Sequence, residues 1–269
     1  MIMAACLAIS AFTNDPLIHR AGPQVSGTAE FSYWKPGPKD RLQIQFTGLP
    51  VVIQKDIEVY DLDLFDTEIE TVEAIHKNGG HVICYINAGA WEDWRPDAGL
   101  YPKKVIGKDY EGWPGEKWLD IRRMDELTPI LTARMDLCKQ KGFEGVEPDN
   151  LNGYQNETGF DLTPADQLAF NKWIARLAHD RGLSIGLKND PEQMEELAGD
   201  FDFTMMEECL VSGWCEKALP FIKQDKPAYA VEYTDQIPSL SPYCGKADEL
   251  GVFPLLKNRL LDAYRSTCA

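Results

Sequence analysis

The sequence predicts an α/β protein folded as a (β/α)8 TIM barrel, and three observations carry that prediction. From Leu42 onward short apolar runs alternate with capped helical segments, the pattern of βα units around a parallel sheet. Eight such runs can be placed, and six consecutive ones end in a carboxylate or an amide. A barrel of this kind builds its active site at those strand ends and the loops after them. Finally, 269 residues with 44% hydrophobic content suffice for one large core, and no composition shift divides the chain beyond residue 42.

The strands are expected at Leu42–Phe46, Ile57–Asp63, His81–Asn87, Gly145–Asp149, Ser184–Asp190, Phe203–Glu207, Ala228–Tyr233 and Val252–Leu256. Between them, Thr67-Glu-Ile-Glu70 reads as a capping box, with Ile69, Val72 and Ile75 on one helical face and Asn78-Gly79-Gly80 as the stop. Asp125 can cap a helix running to Lys141-Gly142, and Thr163-Pro164 places proline at a first helical position. Asp190-Pro191 repeats that device directly after a strand tip, and weaker helices are expected near Cys215–Gln224 and Lys257–Ser266. Trp118–Ile121 could be a ninth strand; it is assigned instead to a long loop, Trp91–Arg123, and loops of that length in compact domains are usually functional.

The strand tips gather Asp61 and Asp63, Tyr85 and Asn87, Asp149 and Asn150, Lys188, Asn189 and Asp190, Glu207 and Glu208, and Glu232 and Tyr233. Turn and cap chemistry accounts for some of these Asp and Asn residues. It does not account for Lys188, or for two glutamates after the apolar Met205-Met206. None of the four histidines falls at a tip, and the sequence has no Gly-x-Ser-x-Gly elbow, Walker loop or Gly-x-Gly-x-x-Gly fingerprint. These absences argue against a His-rich zinc site, a Ser-His-Asp triad and the common nucleotide folds. A carboxylate metal site of Asp61, Asp63 and Asp149 lacks a spacing signature, so no metal or cofactor is expected. Paired acids on different strands, here Asp149 and Glu207, are what glycosidic-bond cleavage requires, and Trp91 and Trp94 could stack on sugar rings. Lys188 beside Asp149 would favour the ionised carboxylate, or would form a simple structural ion pair.

Net charge is −16 and the sequence pI is near 4.7, which disfavours nucleic acid and anionic membranes and favours cationic partners. Residues 1–22 read as a signal peptide and leader around the apolar run Met1–Phe12, residues 23–41 as a linker, and 42–269 as the catalytic domain of a secreted monomer. Excluding Cys6, six cysteines remain, which suits disulfides in a secreted chain. Cys209–Cys215 and Cys244–Cys268 are the pairings closest in sequence, and the connectivity stays open.

Several long motifs then coincide in order: Val59–Asp66, Val82–Asp97, Trp118–Ile121, Gly145-Val-Glu-Pro-Asp-Asn150, Gly186-Leu-Lys-Asn-Asp190 and Glu207-Glu-Cys209. Together, from about Gln43 to Cys268, the chain resembles the endo-α-1,4-polygalactosaminidases, glycoside hydrolase family 114. The resemblance implies a (β/α)8 barrel that cuts galactosaminogalactan-type polymers internally at α-linked galactosamine, by a retaining reaction. It also implies Asp149 as nucleophile and Glu207 as general acid/base. The apolar Thr204-Met-Met approach to the acids departs from the more polar one expected. Asp61, Asp63, Asp190 and Glu232 would form an acidic rim for a cationic polymer. Hydrolysis of another α-linked sugar, and a glycan-binding barrel without chemistry, are the alternatives. Since adjacent strand residues face opposite ways, only one of Glu207 and Glu208 can enter the cleft.

Overall fold

A computed structural model describes residues 33–268. Residues 1–22, where a leader is expected, and the first part of the 23–41 stretch lie outside the described residues. From Tyr33 onward the chain packs on the N-terminal end of the barrel. Trp34 stacks on His81 with centroids 4.6 Å apart, and Lys35 pairs with buried Asp202 at 2.8 Å.

The wall begins with β1 (Leu42–Ile44), β2 (Val59–Asp63) and β3 (His81–Asn87). An insertion follows, in which β4 (Ala90–Glu92), β5 (Ile106–Asp109) and β6 (Glu116–Leu119) make an antiparallel sheet in the order β4-β6-β5. The wall resumes with β7 (Gly145–Asp149), β8 (Ser184–Lys188), β9 (Phe203–Glu207), β10 (Ala228–Tyr233) and β11 (Phe253–Lys257). These eight barrel strands run in the order β1-β2-β3-β7-β8-β9-β10-β11, each parallel to its neighbours. The (β/α)8 barrel is therefore as expected, and each predicted strand end lies within two residues of the observed one. Trp118–Ile121 does contribute to a strand, but to the insertion rather than to the wall.

Helices α1 (Ile69–Lys77), α2 (Met124–Lys141), α3 (Pro164–His179), α4 (Met194–Leu197), α5 (Cys209–Ser212), α6 (Leu219–Ile222) and α7 (Cys244–Leu250) pack outside. Thr163 caps α3 through a full capping box with Asp166. Three other cap expectations are corrected. The α1 N-cap is Glu68 without a side-chain cap, because the turn after β2 is held instead by Asp63, which accepts from Phe65 N and Asp66 N at 2.8 and 3.0 Å. Helix α2 starts two residues early, with Asp125 in its first turn rather than at its cap. After Asp190-Pro191 a turn intervenes before the single-turn α4. Nor is there a helix at Lys257–Ser266. The Lys257 ammonium is buried and donates to Gln43 Oε1 at 3.0 Å and to the Asp262 carbonyl at 2.8 Å, which folds the chain back so that Ser266 bridges Leu256. This segment closes the seam between β11 and β1. Phe46 N and Thr47 N donate to the Leu261 carbonyl, and Arg265 Nε donates to the Leu42 carbonyl.

Alternate residues of each strand point inward. The floor of the barrel is aromatic: Phe203 meets Tyr229 edge-on at 6.3 Å, and Tyr229 meets Phe253 at 5.9 Å. Gly186 makes room for that floor, since a Cβ there would lie 2.2 Å from Phe203 Cε2. Gly186→Ala is thus expected to destabilise the protein by about 1–3 kcal/mol through overpacking, read as a lowered Tm; an unchanged Tm would show that the ring can move aside. Outside the wall, Cys84–Cys138 fastens β3 to α2, and Cys209–Cys215 and Cys244–Cys268 staple the β9 and β11 loops. The two pairings closest in sequence are therefore formed.

Candidate active site

Above the aromatic floor the barrel interior becomes ionic. The inward period that carries Asp61 and Asp63 on β2 also brings Tyr85 (β3), Glu147 and Asp149 (β7), Lys188 (β8), Glu207 (β9) and Tyr233 (β10) to the C-terminal mouth. Pro148 has no N–H to donate. The β7–β8 pairing stops at Val146, which leaves the last residues of β7 splayed toward the mouth.

Lys188 is the hub. Its Nζ lies 3.0 Å from Glu147 Oε1, 3.2 Å from Asp149 Oδ1 and 3.6 Å from Glu207 Oε2. Asp149 and Glu207, far apart in sequence, can thus be separated by no more than the sum of the last two reaches. Asp149 also accepts from the Tyr85 hydroxyl at 3.0 Å and from Asn150 N at 2.8 Å. Glu207 accepts from the Tyr233 hydroxyl, and from Asn189 Nδ2 at 3.1 Å. Burial works to raise the Glu207 carboxyl, but Lys188, Tyr233 and Asn189 outweigh it and hold the group below the usual glutamate range. Burial likewise works against the Lys188 charge, and the surrounding carboxylates overcome it, so its pKa stands well above the ordinary value.

The residue after each of these three strand tips is left-handed: Asn150, Asn189 with Asp190, and Glu208, with φ of 63°, 52°, 55° and 57°. Asn and Asp tolerate this conformation readily, whereas a glutamate there is uncommon and marks local strain of the kind found at functional sites. The turn at Glu208 separates the two glutamates. Glu207 faces the interior, while Glu208 leaves the wall and pairs with Arg259 at 2.7 Å. Arg259 in turn lies over the Tyr233 ring at 3.9 Å.

The insertion roofs one side of this mouth and is pinned by two buried arginines. Arg95 makes a fork to both Asp63 oxygens at 2.9 and 2.6 Å and also meets Glu92 at 2.9 Å. Arg134 of α2 grips both Asp97 oxygens at 2.7 and 2.8 Å and the Asn87 carbonyl at 2.7 Å. Tyr110, packed on Trp118 at 4.5 Å, has its hydroxyl raised by burial and then by the charges of Asp149 and Glu207, so it stands close enough to feel both.

A model of glycoside-hydrolase family GH114 matches residues 24–269. The chain belongs to that family. Among solved structures, this GH114 protein is similar to Aspergillus fumigatus Ega3, crystallised in complex with galactosamine, at 31% identity and a TM-score of 0.82 over 90% of this chain and 100% of that one. The glycoside hydrolase domain of PelA from Pseudomonas aeruginosa shares the fold at 13% identity and a TM-score of 0.67, over 84% of this chain and 98% of that one. A Deinococcus radiodurans protein of unassigned function is 22% identical, over 97% of this chain and 95% of its own length. The molecule is thus a glycoside hydrolase on a (β/α)8 barrel.

Not every residue expected at the mouth of this GH114 barrel is free to act there. The acidic rim is corrected: Asp61, Asp190 and Glu232 are all fully buried, and Asp63 nearly so. Glu232 lies on the outer face of β10, where it accepts from Leu210 N at 2.8 Å. Asp190 accepts from Tyr154 Oη and Asn171 Nδ2 at 3.2 and 3.0 Å, and Asp63 is neutralised by Arg95. Burial raises the Asp190 and Glu232 carboxyls to about 7 each. Asn87 is enclosed, accepting from Ala90 N and Asn150 Nδ2 while donating to Glu116. Trp91 is partly buried, its indole N–H donating to the Ala98 carbonyl, whereas Trp94 is 52% exposed. Residues that sequence reasoning left out of the site are Glu147, Tyr110, Glu116, Arg95, Arg134, Phe46 and Leu261. Phe46 packs on Tyr85 at 4.5 Å, and together with Leu261 it walls the cavity beside Lys188 and Glu207.

Proposed function

We propose that this chain is an endo-acting hydrolase of α-1,4-linked galactosamine polymers, using Asp149 as nucleophile and Glu207 as general acid/base in a retaining reaction. The observation that carries the reading is the Lys188 bridge. Retaining glycosidases hold their two carboxyls about 5–5.5 Å apart and inverting ones about 6.5–9.5 Å. The combined reach of Lys188 to Asp149 (3.2 Å) and Glu207 (3.6 Å) comfortably includes the first range and touches only the lower edge of the second. In the first step Asp149 Oδ attacks the anomeric carbon, the glycosidic C–O bond breaks, and the Glu207 proton passes to the departing oxygen. In the second, Glu207 takes a proton from water, which displaces Asp149 and leaves its hydroxyl on the sugar.

The substrate class is supported by the likeness to Ega3, whose structure holds galactosamine, and by the −16 charge, which would concentrate a polycation near the mouth. Tyr85 and Tyr233 position the two acids; Trp94 and Asn189 are the best placed of the remaining expected site residues to meet the chain. Secretion is proposed from the N-terminal apolar run and the three disulfides, since such bonds persist in oxidising compartments.

Digestion of galactosamine, N-acetylgalactosamine and galactose polymers, with products sized by mass, tests the proposal. Short oligomers are expected from the galactosamine polymer. Release only from the neutral galactose polymer would overturn the substrate assignment while leaving the hydrolase intact.

A further inference from the structure

Two more carboxyls lie beneath the reactive pair and have no part in the scheme above. Asp61 projects from β2 and Glu147 from β7 into the barrel, one layer below the mouth, with 0% and 1% of their surface exposed. Glu147 is the neighbouring charge that Asp61 feels most strongly, yet neither Asp61 oxygen has a hydrogen-bond donor, and Glu147 has only the Coulombic approach of Lys188 at 3.0 Å. The aromatic floor supplies nothing to Asp61, since the nearby Tyr229 hydroxyl is itself unpartnered and buried. Two bare carboxylates side by side in a dry interior repel each other and lack the hydration that would make the charges tolerable. One proton between them turns repulsion into a hydrogen bond, as in other paired-acid sites.

We propose that Asp61 and Glu147 hold one shared proton and act as a positioning pair, which keeps Lys188 seated between Asp149 and Glu207 instead of being drawn down into the barrel. The argument is one of charge. Three carboxyls, Glu147, Asp149 and Glu207, meet the single Lys188 ammonium, Asp61 lies beneath them, and the neutral phenols of Tyr85 on β3 and Tyr233 on β10 stand beside. With the proton in place the lower pair carries one negative charge, which Lys188 balances, and the upper pair can divide the labour of nucleophile and acid. If the proton leaves, the lower pair carries two charges and competes more strongly for Lys188, so Glu207 loses part of the support that holds its carboxyl down. In agreement, burial and then the neighbouring Glu147 charge hold Asp61 well above the aspartate range, and burial lifts Glu147 to about 7.

The inference rests on the two-carboxylate reading of the site, and its test separates the two. Infrared spectra of the folded protein with 13C-labelled aspartate carboxyls, taken without substrate at about pH 5.5, should contain the carbonyl stretch of a protonated acid that Asp61→Asn removes. Asp190 contributes to both spectra and cancels in the difference. If the two spectra coincide, the shared proton does not exist, whatever the enzyme cuts. Should Asp61→Asn fail to fold, the spectrum of Asp190→Asn decides: with the Asp190 contribution gone, the protonated-acid stretch must persist, and its absence would overturn the proposal. In kinetics, Glu147→Gln keeps the shape but removes the negative charge, so the basic limb of the kcat/KM profile, set by Glu207, should move to lower pH by about half a unit or more. KM should change little. A role confined to packing would lower the amount of active enzyme and leave that limb where it is, which would overturn the proposal.

Discussion

Asp149→Asn and Glu207→Gln are each expected to lower kcat for polymer cleavage by roughly 10³-fold or more, because each removes one of the two groups that make and break bonds at the anomeric carbon. Binding of intact polymer should survive, as should the Tm to within a few degrees, since both side chains keep part of their surface open to water. The pH profile adds a sign. The donor must carry its proton in the free enzyme, and Lys188, Tyr233 and Asn189 hold Glu207 below the ordinary glutamate value despite its burial. Activity should therefore fall as pH rises through an acidic basic limb, and that limb should vanish in Glu207→Gln. A wild-type limb above neutrality would remove Glu207 from the donor's role. If Glu208→Gln were the inactive variant and Glu207→Gln were not, the whole β9 assignment would fail.

Lys188→Met is expected to cost about 3–5 kcal/mol of stability, the usual penalty for leaving buried charges without their partner, and so to lower Tm by about 10 °C or more. Methionine fits the space, so the loss would be electrostatic. The pH dependence separates this from a packing defect. Without the ammonium, Asp61 and Glu147 have folded-state pKa values raised still further above their unfolded values. A carboxyl raised in this way contributes stability that is present at low pH and is lost as pH rises through the folded pKa. The variant should accordingly regain much of its deficit as pH falls from above neutrality to about 7, the value to which burial already raises Glu147 in the wild type. A deficit that is constant across that window would mean that Lys188 matters for its shape alone.

Much of this was legible in the sequence, for reasons that can be traced to single residues. Strand spacing and caps such as Thr163-Pro164 located the barrel, because each is a local signal that tertiary contacts reinforce. The period of two that puts Asp149 inside the barrel also puts Glu147 there, although Pro148 between them breaks the strand signal. The same period requires that only one of Glu207 and Glu208 enter the cleft, and the left-handed turn at Glu208 is how the chain realises the choice of Glu207. The insertion was not legible. Its sheet is made of three- and four-residue strands, and its anchors Arg95 and Arg134 meet Asp63 and Asp97 across 32 and 37 residues with no periodicity to announce them. The supposed acidic rim failed for a related reason: sequence shows where a carboxylate lies along a strand, but not which amide, arginine or tyrosine will claim it.

The way the cylinder is sealed has a consequence for biosynthesis. Leu42–Ile44 pairs with β2 on one side, and its other side is covered only when residues from Lys257 to Ser266 return across it. A nascent chain must therefore be synthesised as far as about Ser266 before β1 has both neighbours. Until then it presents an apolar edge able to pair with any other extended polypeptide, so aggregation during folding should depend more on that early segment than on the later ones.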